Sequence, residues 1–144
     1  MIPEFTADGF LPEGIHRATV SEFEERFVKS TGLFARRTVF DHLRELLKEA
    51  ADSGIVKRVL VGGSFVTANP APNDFDCLIA LDETVIGREL RPFEYRIVSR
   101  RRARKAFQGD VFAFPADSPA YREYFEFFQK TRDGSRVGIL EIEP

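Results

Sequence analysis

Between residues 33 and 52, the apolar positions Val39, Phe40, Leu43, Leu46, Leu47 and Ala50 recur at spacings of three and four. That period predicts a helix with one buried stripe, and Gly54 is a suitable C-terminal stop. Arg36, Arg37, Arg44, Glu45, Lys48 and Glu49 are assigned by the same pattern to a solvated face. The pattern then changes. Residues 55–61 read as a strand ending in Val59-Leu60-Val61, and residues 77–81 form a second unbroken apolar run. Such runs are expected of strands covered on both faces. A third strand is read over residues 109–115, and an alternating final strand over 137–142 follows the Asp133-Gly134 turn.

Shorter helices fill the intervals. Ser21 with Glu24 fits a capping box and opens a helix to about Val28, with Phe23 and Phe27 four apart on its inner face. Asp82 can cap a short helix through about Leu90, Pro92 interrupts it and can start another, and residues 96–107 follow as a basic helix. Ser118-Pro119 starts one whose Tyr121, Tyr124, Phe125 and Phe128 form an aromatic stripe, widened by Phe127 and expected in the core or at a subunit interface. The first 18 residues show no useful periodicity, and residues 11–16 read as a turn in which His16 is surface or packed. The predicted fold is α/β (α+β): a small mixed β-sheet with helices packed against it. The whole chain, 1–144, is read as one domain, with 1–32 as an N-terminal extension packing on it.

Composition narrows this picture. The 144 residues suffice for one real core, and 15 Phe against no Trp predict that phenylalanine fills much of it. No apolar run is long enough to span a bilayer, and the N-terminus lacks the pattern of a signal peptide. The single Cys77 falls in a buried strand and has no internal disulfide partner. A cytoplasmic protein without a membrane partner is expected. Net charge is −2, yet residues 91–105 carry seven cations against Glu94 alone. Bulk charge therefore excludes a generic nucleic-acid binder. The basic segment is either a solvated helix or one that sends one or two arginines to phosphates or an RNA backbone.

The chemistry-bearing stretch runs from residue 59 to residue 81. Gly62 and Gly63 allow a sharp turn and a close backbone approach, and their amides with the Ser64 hydroxyl suit an anion such as phosphate. Asp74 and Asp76 are two apart, so on a strand they face one side. Paired carboxylates repel unless a cation lies between them, and Mg2+ or Mn2+ prefers such oxygen ligands.

Gly63-Ser64, nine residues, then Asp74-Phe75-Asp76-Cys77 resembles the signature of the nucleotidyltransferase superfamily, which includes DNA polymerase beta. The chain is also similar to an uncharacterised bacterial family whose core resembles Gly63-Ser64-Phe65-Val66-Thr67 followed by Pro72-Asn73-Asp74. The superfamily resemblance implies that Gly62, Gly63 and Ser64 hold a nucleoside triphosphate and that Asp74 and Asp76 bind two Mg2+ (or Mn2+). It implies a third acid on a later strand, for which Asp110 is the candidate; a plain strand-opening Asp is the alternative. Glu141 and Glu143 on the final strand are weaker candidates. The implied activity is transfer of a nucleoside monophosphate to a hydroxyl of a protein, an RNA or a small molecule. Small members of this kind act on a protein or RNA partner, at times within a toxin–antitoxin pair.

Two other readings stand beside it. One is a catalytically inactive nucleotidyltransferase-fold module that recognises a protein or RNA partner through the Phe-rich helix or the Arg cluster. The other is a sugar transferase using Asp-x-Asp. Phosphatases of the haloacid dehalogenase type also use that motif, but there the apolar strand precedes the acids, whereas here it follows them.

Overall fold

Five strands carry the molecule in the computed structural model, which describes residues 1–143. They are β1 (Gly14–Thr19), β2 (Val56–Gly62), β3 (Asp76–Leu81), β4 (Asp110–Pro115) and β5 (Gly138–Glu143), and they form one mixed sheet ordered β1-β5-β2-β3-β4. The pairs β1–β5 and β3–β4 are parallel, while β2 runs antiparallel to both β3 and β5. Helices pack against this sheet, so the expected α/β architecture is what the chain adopts.

The two faces are covered unequally. One meets α1 (Val20–Glu24), which continues as a π-helical turn over Glu25–Lys29, and also α2 (Phe34–Ser53), α3 (Pro92–Val98) and α4 (Arg100–Phe107). Phe23, Phe27, Phe40, Phe65 and Phe107 fill that interface, with the Phe23 ring 4.9 Å from Phe27 and 5.7 Å from Phe65. Each such ring contributes roughly 1.5–3 kcal/mol of burial. The other face is covered by α5 (Pro119–Phe128), whose Tyr121 and Phe128 lie on Leu60, Leu78, Ala80 and Ile139. Because β3 is sandwiched between both cores, residues 77–81 are apolar without alternation. The aromatic stripe is thus core along most of its length, and Phe127 alone of the five is largely exposed, at 66%.

Several local expectations are corrected. Residues 14–19, read in part as a turn, are strand β1, and Leu11, Ala18, Phe23, Phe27 and Val28 join the core. His16 in β1 packs, with Nε2 2.7 Å from the Pro12 carbonyl oxygen. The capping box is Thr19 with Glu22: the Thr19 hydroxyl accepts from the Glu22 amide, and the Glu22 carboxylate accepts from the Thr19 amide, both at 3.1 Å. Thr19 is extended because it ends β1, which places the cap two residues early. Asp82 caps only a 3-10 turn, Glu83–Val85. Pro92 does start a helix, α3, but the basic stretch 96–107 is divided at Ser99, whose extended backbone ends α3 and whose hydroxyl caps α4. Among the described residues, no helix is long and apolar enough to cross a membrane.

Candidate functional site

Alternation of side chains places the acids. Phe75 is fully buried, so Asp74 and Asp76 on either side of it turn away from the core. The Phe75 ring lies against Gly109, where any Cβ would collide with it, and the Asp110 amide donates to the Phe75 carbonyl at 2.9 Å. This lock sets the parallel register in which Asp76 is opposite Asp110. On its other side Asp76 is opposite Gly62, the last residue of β2. Asp74, Asp76 and Asp110 therefore gather at one end of the sheet, beside the Gly-Gly-Ser turn.

The glycines have their own reasons. Gly63 adopts φ +71°, in the left-handed region, and a Cβ there would strike the Asp76 carboxylate. A Cβ on Gly62 would press on the Phe128 ring at 3.0 Å. The close approach expected at this turn is thus made to Asp76 and to α5. Ser64 opens a 3-10 turn, Ser64–Val66, and its carbonyl accepts from the Thr67 hydroxyl at 2.7 Å.

The loop beyond Ser64 is fixed by Arg36, which the pattern had assigned to solvent. Arg36 is 2% exposed. Its guanidinium donates to the carbonyls of Phe65 and Thr67, each at 2.7 Å, and to those of Asn69 and Phe27. It also lies 5.1 Å from the Phe65 ring centroid. Arg36 falls three and four residues before Val39 and Phe40, on the buried stripe of α2, and its long polar head crosses the core to reach these carbonyls.

The carboxylates differ in electrostatics. Asp110 accepts a bidentate pair from Arg100, Nε at 2.8 Å and Nη2 at 3.1 Å. Asp74 accepts from Arg104 Nη1 at 2.8 Å. Asp76, partly buried between them, has no hydrogen-bond or ion-pair partner among the described residues. Burial, then the charges of Asp74 and Asp110, push its carboxyl up to about 6, against the pull of Arg104 and Arg100. Cys77 next to it is sealed in the core, and burial pushes its thiol far up, so it is no nucleophile. Glu141, on β5, is tied to Arg58 of β2 and Arg17 of β1, away from the cluster, and its carboxyl is lowered chiefly by Arg58.

A cleft of about 830 Å³ opens over Asp74 and Asp76. Gly63, Ser64, Thr67, Asn69, Asp74 and Asp76 line one part of it; Lys130 and Arg132, after α5, line another, and residues 8–11 form its rim. Lys130 and Arg132 form no ion pair among the described residues, so the cleft presents two uncommitted cations with the acids. Another cleft, of about 840 Å³, lies where the start of β2 meets α2 and the end of β5, and it contains none of these acids. Sequence reasoning missed Arg36, Lys130 and Arg132, and did not single out Arg100 and Arg104 within the basic segment. The four-residue spacing of the last two was the available signal.

The donor set is of the type that holds Mg2+ or Mn2+: three carboxylates, one lacking any counter-charge. As they stand, no three His, Cys, Asp or Glu side chains among the described residues are grouped for a metal ion. Arg104 and Arg100 draw Asp74 and Asp110 to themselves. These arginines are 48% and 60% exposed, and exposed pairs contribute about 0–1 kcal/mol each, so the carboxylates are released at small cost. The type of donor, rather than the present grouping, is what suits a divalent cation here.

Compared with known proteins, residues 3–143 match the model of a family described as a family of unknown function (DUF6932). No curated protein and no solved structure matches the chain.

Proposed function

The chain belongs to DUF6932, a family of unknown function, so its chemistry is argued from its own residues, and we propose that it is a metal-dependent nucleotidyltransferase. The observation that carries the reading is the strand register that sets Asp76 opposite both Gly62 and Asp110 at one end of the sheet, where Gly63, Ser64, Asp74 and Asp76 line a cleft. Asp74, Asp76 and Asp110 hold Mg2+ or Mn2+. When bound, the metal supplies charge neutralisation to the triphosphate and lowers the pKa of an attacking hydroxyl. Ser64 and the turn hold phosphate oxygens, while Lys130 and Arg132 bring further positive charge to the cleft. The acceptor oxygen bonds to the α-phosphorus, the bond from that phosphorus to the bridging oxygen breaks, pyrophosphate leaves, and the hydroxyl proton passes to water. Arg36 positions the loop that borders the phosphates and touches none of the reacting atoms. The chain's own task is orientation and charge placement.

Nucleoside triphosphates labelled in the α-phosphate, incubated with the protein, Mg2+ or Mn2+, and cell extract, test this. The expected result is metal-dependent label on protein, RNA or a small hydroxyl compound, with pyrophosphate released. Both should be lost in Asp74→Asn/Asp76→Asn. No transfer with any of the four nucleotides would overturn the reading. The Arg100–Asp110 and Arg104–Asp74 pairs then favour a second one, a nucleotidyltransferase-like module whose acids are neutralised internally and which only binds a protein or RNA partner.

A further inference from the structure

We infer that Arg100 and Arg104 are exchangeable phosphate ligands: they occupy two of the site carboxylates when no divalent cation is bound, and turn to the phosphate chain of the substrate when one enters. The inference rests on the nucleotidyltransferase reading and assigns the residues that recognise the phosphate chain. The two are four apart on α4, so one helix face delivers both to the cluster, one to each side of Asp76. Of the basic residues in the segment, only these two are bound to site carboxylates. Arg102 lies over the Tyr95 ring at 5.1 Å, and Arg96 is paired with Glu49 at 2.8 Å.

Charge balance shows why an exchange follows. Three carboxylates facing two guanidiniums leave the metal-free site one cation short, and Asp76 is the group left unpaired. Two dications would more than neutralise three carboxylates, so Arg100 and Arg104 would then face net positive charge and be driven off. A triphosphate carries about four negative charges, enough to restore balance with both arginines still beside it, and guanidinium matches phosphate oxygens in forked geometry. Release meets little hindrance because both side chains are about half in solvent. Arg100 keeps one further contact, the Phe112 ring 4.3 Å away, which holds it near the site.

The test compares wild type with Arg100→Gln/Arg104→Gln, using Mn2+ alone and inorganic tripolyphosphate in saturating Mn2+ as probes. Free Mn2+ is read by its paramagnetic resonance signal, and tripolyphosphate by calorimetry. The variant is expected to bind Mn2+ several-fold more tightly, because its carboxylates are no longer occupied, and tripolyphosphate at least tenfold more weakly. Unchanged or weaker Mn2+ binding would overturn the competition, and unchanged tripolyphosphate binding would overturn the phosphate role; either leaves the metal site standing. Absence of Mn2+ binding in both proteins would instead remove the nucleotidyltransferase reading, and this inference with it. If the double variant melts early, Arg100→Lys/Arg104→Lys replaces it. That variant keeps the charge but loses the forked geometry, so tripolyphosphate binding should still weaken.

Discussion

Arg36 on one hand, and Arg100 with Arg104 on the other, carry the same guanidinium to the same site and do opposite things there. Arg36 is buried and spends its donors on four backbone carbonyls, which cannot leave, and its bonds to Phe27 and Phe65 are buried away from water. Arg100 and Arg104 stand half in water and bind carboxylates that water or a cation can serve equally well. Burial, more than partner or distance, separates a fixed part from a movable one: the bonds are of similar length, but only the buried set carries a large penalty for breaking. The loop beyond Ser64 is therefore rigid, while the charge at the acids is adjustable.

Breaking the fixed side should have the largest effect. Arg36→Met leaves buried carbonyls without donors, at about 3 kcal/mol or more, which for a domain of this size lowers the melting temperature by roughly 10 °C. Thermal or urea unfolding checks it, and a loss below about 1 kcal/mol would mean that the carbonyls do not depend on Arg36. Gly63→Ala comes next. It strains a left-handed residue and drives a methyl group into the Asp76 carboxylate, costing about 2 kcal/mol and weakening Mn2+ binding.

Asp76→Asn should act in the opposite direction. The Asp76 carboxyl, raised from 3.8 to about 6 in the folded protein, holds its proton more tightly there than in the unfolded chain. Its contribution to stability is fully present below pH 3.8 and is lost as pH rises through about 6. The variant should therefore melt higher than wild type at pH 8 and no higher at pH 4. A difference independent of pH would contradict this. The smallest effect belongs to the movable side: Arg100→Gln and Arg104→Gln should each change stability by less than about 1 kcal/mol in metal-free buffer. A larger loss would make them structural, like Arg36.

The same contrast explains what the sequence revealed. Strands β2 and β3 were legible because both of their faces are buried, and α2 because its stripe repeats over twenty residues. Asp74 and Asp76 could be named from their spacing ahead of a strand and Asp110, as the resemblance implied, from its place opening a later one, and the register sets Asp76 opposite Asp110. β1 was not legible, since as an edge strand it buries only Ala18 fully and shows no apolar run. Arg36 was hidden because its residue type predicts solvent while its position predicts core, and position prevailed. The division at Ser99, which turns Arg100 and Arg104 toward the acids, depends on one extended residue within an otherwise helical stretch. Periodicity does not register a break of that size.

Metal-dependent nucleotide binding at these acids is read by thermal unfolding with ATP, GTP, CTP or UTP, each with and without Mg2+ or Mn2+, on wild type and Asp74→Asn/Asp76→Asn. Ligand at a hundred times its dissociation constant adds roughly 2.7 kcal/mol, or about 5–10 °C here. A shift of that order is expected with at least one nucleotide, requiring the metal and absent from the double variant. No shift with any nucleotide, or one that persists in the variant or without metal, would contradict it.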